Sequence, residues 1–275
     1  MSSIDIKAIA DELIAARAAR RADVIPPSAR AGGIDLDTAY AVERELIQSR
    51  REAGQSIVGL KVGYANRAMW RALKLDTLAW ATMYNDTVQF AVNDAAELSI
   101  ARLTAPKLEP EIVFKLKRAV ESGLEDPAAV LAAVDWIALG FEVIDCVYQD
   151  WKFQPVDFVA SFGLHAGLIV GAPHQVEADE IPLLVEQLAS FKVSLFNGEE
   201  RIAEGAGKNS LKSPALCLGE LATAVARRSG AHTLSAGDLV SSGTLTEAQF
   251  LSPGQRWRAV TEGLPVSPIS ISIVG

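Results

Sequence analysis

The chemistry in this sequence is concentrated in three glutamates, Glu109, Glu111 and Glu142, and their neighbours say why. In residues 107–117 (KLEPEIVFKLK) the even positions Leu108, Pro110, Ile112, Phe114 and Leu116 form a continuous apolar face, so a strand is expected. The odd positions begin Lys107, Glu109, Glu111. Alternate side chains of a strand share a face, with Cα atoms roughly 6.5–7 Å apart, so two carboxylates at this spacing can reach one ion between them. Pro110 gives up a ladder hydrogen bond, which predicts that this strand end lies at an edge or a mouth. Glu142 stands in WIALGFEVI, where its neighbours are apolar or glycine. A carboxylate there is expected to be buried, and buried charge is rare unless paired or metal-bound. Three oxygen donors suit Mg²⁺ or Mn²⁺ rather than zinc.

Lys61 complements the acids. In IVGLKVGY the face Val58, Leu60, Val62, Tyr64 reads as core, and Gly59 and Gly63 flank Lys61 on the other. Those glycines predict a hollow beside the lysine, where a ligand or another backbone approaches closely. Three carboxylates and one divalent cation leave a charge of −1. A nearby ammonium restores the balance and can hold a substrate carboxylate.

The elements that must position these residues are legible in outline. Ile6, Ile9, Leu13 and Ala16 recur at helical spacing before Pro26-Pro27, and a second helix is expected from Asp37 as N-cap to Gly54, burying Ala39, Val42 and Leu46. Strands are expected over 57–64, 108–116 and 137–148, with a helix capped by Asp126 between the last two. Beyond them, Asn197-Gly198 marks a hairpin, Ser213-Pro214 opens a helix, and 238–243, 256–261 and 268–274 read as strands. The second half is therefore expected to be mostly β, and Gly205-Ala206-Gly207 to be a turn. The predicted architecture is α+β: a helical N-terminal region over residues 1–56, then a mixed, mainly β catalytic domain over 57–275.

Composition narrows the function classes. The 275 residues are 49% hydrophobic and 22% charged, with a formal net charge of −8. No basic stripe is present, which argues against a nucleic-acid partner. The N-terminal segment lacks an uninterrupted apolar core, and no run of about 18 apolar residues occurs, so neither a signal peptide nor a membrane span is expected and the cytoplasm is the expected compartment. Cys146 and Cys217 read as buried thiols. The three histidines, His165, His174 and His232, have no ligand-like spacing and read as structural or surface residues, and the absence of Gly-x-Ser-x-Gly lowers a serine hydrolase reading.

GLKVG at 59–63, KLEPEIVFKLK at 107–117, FEVIDCVYQDWKF at 141–153, NGEERIAEGAG at 197–207 and AGDLVSSG at 236–243 resemble the fumarylacetoacetate hydrolase superfamily. The branch they resemble is that of the 2-keto-4-pentenoate hydratases and the 2-oxo-3-hexenedioate (4-oxalocrotonate) decarboxylases. The resemblance implies Mg²⁺ or Mn²⁺ on Glu109, Glu111 and Glu142, an active-site role for Lys61, a mixed β-sandwich roll and a homo-oligomer. Four motifs depart from the family: Ser161-Phe162, Lys212-Ser213-Pro214, Leu78–Ala81 and Gly63-Tyr64-Ala65. Tyr64, Trp80, Ser161 and Phe162 at these departures are expected to touch substrate. An additional cation for a second substrate carboxylate is expected from Lys208, Arg67, Arg71 or Lys212.

The expected activity is that of a metal-dependent lyase on a small anionic 2-oxo or 2-hydroxydienoic acid, with hydration ahead of decarboxylation. A C–C bond hydrolase and a non-catalytic metal-dependent binding protein are the further alternatives.

Overall fold

The computed structural model describes residues 4–275. Two helices lead, α1 (Ile6–Ala18) and α2 (Leu36–Glu52). The α2 cap is Asp35, two residues before the expected Asp37. The Asp35 carboxylate accepts from the Thr38 N–H at 2.8 Å, while Asp37 sits in the first turn and pairs with Arg228. There follow β1 (Ile57–Gly63), α3 (Arg67–Leu73), β2 (Ala79–Tyr84), β3 (Val88–Phe90), β4 (Ala95–Ser99) and β5 (Lys107–Leu116). Then come α4 (Pro127–Leu131), capped by Asp126 as expected, β6 (Val134–Ile144), α5 (Pro155–Ala160), β7 (His165–Val170), β8 (His174–Gln175) and α6 (Ile181–Ser190). The chain closes with β9 (Lys192–Asn197), β10 (Glu200–Ala206), α7 (Pro214–Ala226), β11 (Leu239–Ser241), β12 (Gln249–Phe250), β13 (Arg256–Glu262) and β14 (Ile269–Val274).

Two mixed sheets carry the fold. The larger runs β2-β1-β11-β5-β6-β7-β3, with β12 and β8 pairing onto β5 and β6; β1/β11 and β3/β7 are parallel. The smaller runs β10-β9-β13-β14-β4. One continuous core joins the α1 and α2 residues Leu13 and Leu46 to Ile112, Phe114 and Phe141 of the large sheet and to Ile269, Ile271 and Ile273 of β14. The alternation read in β14 is present: its isoleucines are buried and Ser272 is exposed.

Three helices, α3, α5 and α6, lie outside the expected elements, and α5 and α6 make the second half less purely β than its composition reads. Ile181–Ser190 is short and apolar enough to pass for a strand, yet Leu184 and Leu188 bury at helical spacing. The expected strand over 137–148 ends at Ile144, and Gly205-Ala206 continues β10 rather than turning. A Cβ on Gly205 would lie 1.9 Å from the Leu245 carbonyl oxygen, so this glycine lets another backbone lie on the strand.

β5 is an interior strand, which corrects the edge reading of Pro110, but the mouth reading stands. β11 pairs with residues 113–115 and β12 with 107–108, so the ladder is open between them. The Pro110 carbonyl accepts from Leu245 N–H at 3.0 Å. Its missing donor faces that same gap, where the chain leaves the sheet as a loop.

Candidate metal centre and cleft

Register assembles the centre. Glu109 stands directly opposite Glu142, and Glu111 opposite Gly140, across the β5/β6 pair. Lys61 lies opposite Ser241, and Ser241 opposite Val113, two residues along from Glu111. Directly opposed residues share a sheet face, so one face of four adjacent strands carries the three glutamates, Lys61 and Ser241. The same face continues into a small apolar cluster containing Val113, Ala138 and Leu168.

One carboxylate oxygen from each of Glu109, Glu111 and Glu142 lies within 4.8 Å of the others. Glu111 and Glu142 are fully buried and Glu109 is half-buried at the cleft wall. Glu111 Oε2 accepts from Ser241 Oγ at 2.6 Å and Gly243 N–H at 2.8 Å. Glu142 Oε1 faces His165 Nδ1 at 3.0 Å, and Oε2 lies 3.1 Å from Lys61 Nζ. Among the described residues, Glu111 Oε1 is buried without a partner, and Glu142 Oε2 has only its ion pair with Lys61. Burial, reinforced by mutual repulsion, pushes Glu109 and Glu111 up to about 8, and burial raises Glu142 against the pull of Lys61. Burial works against the Lys61 charge, but the fields of Glu142, Glu109 and Glu111 outweigh it and its pKa is raised. Three carboxylates and one ammonium sum to −2, which one divalent cation neutralises. The donor set, its unpartnered oxygen and its charge therefore fit a hard divalent ion.

A strained turn supports the centre from one side. Phe162, Gly163 and Leu164 all have left-handed φ, +56°, +57° and +58°. This sparsely populated geometry aims the Gly163 carbonyl at Lys61 Nζ (3.1 Å) and starts β7 at His165. His165 is the residue that sequence reading missed. Buried among apolar neighbours, with Lys61 and Arg17 nearby, it is held well below its usual pKa and is a neutral ring. Its Nε2 lies 2.9 Å from Thr87 Oγ1, so a chain Thr87–His165–Glu142 orients the glutamate. The signal available in sequence was only a lone histidine inside an apolar stretch.

The centre opens on a cleft of about 780 Å³. Lys61, Tyr64 and Glu109 line it, with Met69, Trp151, Phe153 and Phe158 forming an apolar wall. Of the residues expected to touch substrate, only Tyr64 is there. Trp80 is buried against Tyr40, 4.4 Å between ring centroids, because its side chain leaves β2 on the helix side of the sheet. Phe162 packs under Arg17 in a different cavity, and Ser161 is buried beside α5. Lys208 is exposed on a groove beside the β9/β10 hairpin, while Arg67, Arg71 and Lys212 are also exposed and line no part of the cleft. The cation that lines it besides Lys61 is Lys107, whose Nζ sits 4.1 Å from the Trp151 ring centroid and 4.4 Å from that of Phe250. It has no carboxylate within 4.0 Å among the described residues. The space expected beside Lys61 is taken by another backbone at Gly59, as expected, and by an aromatic ring at Gly63. A Cβ on Gly59 would meet the Leu239 carbonyl oxygen at 1.8 Å, and one on Gly63 the Phe158 ring at 2.3 Å.

Fold and centre together define a class: a curled mixed sheet bearing a buried carboxylate site for a hard divalent cation, open to one cleft. The chain belongs to the fumarylacetoacetate hydrolase family, whose description "Fumarylacetoacetate (FAA) hydrolase C-terminal" matches residues 56–267. It is 32% identical to a 4-oxalocrotonate decarboxylase of Pseudomonas sp. over 242 residues, 88% of each chain. It is 29% identical to a 2-hydroxypent-2,4-dienoate hydratase of Pseudomonas putida, over 79% of this chain and 94% of that one. The fold matches the 4-oxalocrotonate decarboxylase from Pseudomonas putida G7 complexed with magnesium and adipate. That match has a TM-score of 0.87 at 23% identity and covers 100% of this chain and 99% of that one. Among the described residues, no helix is long and apolar enough to cross a membrane.

Proposed function

We propose that the protein is a Mg²⁺- or Mn²⁺-dependent lyase acting on a short 2-oxo or 2-hydroxydienoic acid, in the manner of the 2-keto-4-pentenoate hydratases. The buried Glu109/Glu111/Glu142 cluster, with the unpartnered Glu111 Oε1 and the Lys61 ammonium at the foot of a cleft, carries this reading. Glu109, Glu111 and Glu142 would hold a divalent ion, which would supply Lewis acidity to the 2-oxo acid end of the substrate. The chain's own residues do the rest. Lys61, kept protonated by the acids around it, places positive charge where the substrate's carboxylate and developing enolate oxygen lie. Gly163 and Glu142 fix that ammonium in place, and His165 fixes Glu142. Phe153, Phe158 and Trp151 exclude water from the side of the diene. In hydration, water then adds across the alkene conjugated with the 2-oxo group.

A second reading, decarboxylation of 2-oxo-3-hexenedioate to 2-hydroxypenta-2,4-dienoate and CO₂, is favoured by Lys107. An ammonium on the cleft wall with no carboxylate partner among the described residues suits a substrate with a second carboxylate. The relatives include both activities. Ultraviolet assays of 2-hydroxypenta-2,4-dienoate and 2-oxo-3-hexenedioate, on chelated protein with and without added Mg²⁺, test both readings. Metal-dependent turnover of the first substrate is expected. Turnover of the dicarboxylate alone would put decarboxylation first, and full activity in excess chelator after confirmed metal removal would sink both.

A further inference from the structure

On the far side of His165 from Glu142 lies a second, open cavity, of about 390 Å³, lined by α1, α2 and the turn between β2 and β3. It shares no lining residue with the cleft. Two guanidinium groups reach it. Arg17 lies 5.0 Å over the Phe162 ring and donates to the His165 carbonyl, yet has no carboxylate within 4.0 Å among the described residues. Burial draws its pKa down to about 10, the mark of a cation short of compensation. Arg50 pairs with Asp86 at 3.0 Å, but its Nε is buried and has no partner. The Gln55 side-chain oxygen, beside the same cavity, is also buried and unpartnered. Against the two arginines, the lining offers one carboxylate, Asp86, and so the cavity carries a charge of +1.

A guanidinium without a carboxylate and a second with an unmet N–H, on one positive cavity, make an anion site, because buried charges are otherwise paired. The size falls at the lower end of small-ligand pockets. We propose that this cavity binds a small monoanionic carboxylate between Arg17 and Arg50, separate from the substrate cleft. The planar guanidinium fork matches a carboxylate, and Asp86 selects against a dianion.

Acetate is the probe. Sodium acetate is titrated into chelated protein at constant ionic strength against sodium chloride, followed by calorimetry and thermal shift. Saturable binding is expected for the wild type and for Lys61→Met and Lys107→Met, which remove the two cleft cations. At least a tenfold loss is expected in Arg17→Met. Should that variant fail to fold, Arg50→Gln, on the surface side of α2, is expected to weaken acetate several-fold. Inorganic phosphate at pH 8 should bind more weakly than acetate. The proposal is overturned by absence of saturable acetate binding, by undiminished binding in the arginine variants, by its loss in either lysine variant, or by tighter binding of phosphate.

Discussion

Lys61 and Glu142 form a buried ion pair in which neither partner is at ease alone: the ammonium needs the carboxylates, and Glu142 needs a cation. Removing one member leaves the other charge uncompensated, which costs on the order of 3 kcal/mol at a buried site. Lys61→Met should therefore lower kcat/KM by about 10²-fold or more, while the metal-free protein loses stability above pH 8, read by urea denaturation. Unaltered kcat/KM would return Lys61 to a structural part. Glu111→Gln keeps an acceptor for Ser241 and Gly243 while removing one ligand charge. Its Mg²⁺ affinity should fall by more than the roughly 10–100-fold that a supporting residue contributes. Its metal-free fold should hold or gain stability, because one of three repelling carboxylates is gone. The cleft's apolar wall bears on substrate tails. If Phe153, Phe158 and Met69 receive the tail, each buried methylene contributes about 0.8 kcal/mol, and kcat/KM should rise several-fold per carbon across an alkyl series. A flat series, or a preference for carboxylate-ended substrates, would give the tail to Lys107 instead.

At the scale of elements, the centre depends on strands that approach unusually closely. Gly59 pairs with Leu239 across the parallel β1/β11 junction, with φ of +149°, and a Cβ there would strike the Leu239 carbonyl oxygen. Gly59→Ala should part β1 from β11, cost at least about 2 kcal/mol, and displace Lys61 from Glu111 and Glu142. Loss of Mg²⁺ affinity together with stability is the expected reading. A stable variant with normal metal binding would refute the dependence. Gly163 makes the same point at the strained turn, since an added Cβ would lie 2.5 Å from Ala81 Cβ and 3.1 Å from Lys61 Cδ. Gly163→Ala should cost about 1–3 kcal/mol and lower turnover through Lys61.

For the whole molecule, the buried acids couple stability to pH and metal. Glu109 and Glu111 rise to about 8 and Glu43, buried under Thr82, to about 7, all above the unfolded value. Between about pH 4.3 and those values the folded state binds more protons than the unfolded one. Stability of the chelated protein therefore falls as pH rises through this window and levels off above about 8. Its Tm should be higher at pH 6 than at pH 8. Mg²⁺ competes with the same protons, so its stabilisation should be larger at pH 8. A chelated protein whose Tm climbs from pH 6 to pH 8 would contradict the burial of these acids as neutral groups.

Local pattern was enough for the acids. The two-residue period of a strand put Glu109 and Glu111 on one face, and an unbroken apolar context marked Glu142 as buried. Caps and turns were equally local: Asp126-Pro127, Asn197-Gly198 and Ser213-Pro214 each begin or turn the element they announce. What sequence could not contain is which strands become neighbours. β1 meets β11 across some 180 residues, and only that register sets Lys61 beside Ser241 and Glu111. His165 reaches Glu142 because β7 pairs with β6. The aromatic residues showed the limit most plainly. Tyr64, Trp80 and Phe162 are alike in composition and in their departures from the family, yet only Tyr64 faces the cleft, because the face on which a ring leaves its backbone is fixed by long-range pairing and burial, not by the ring.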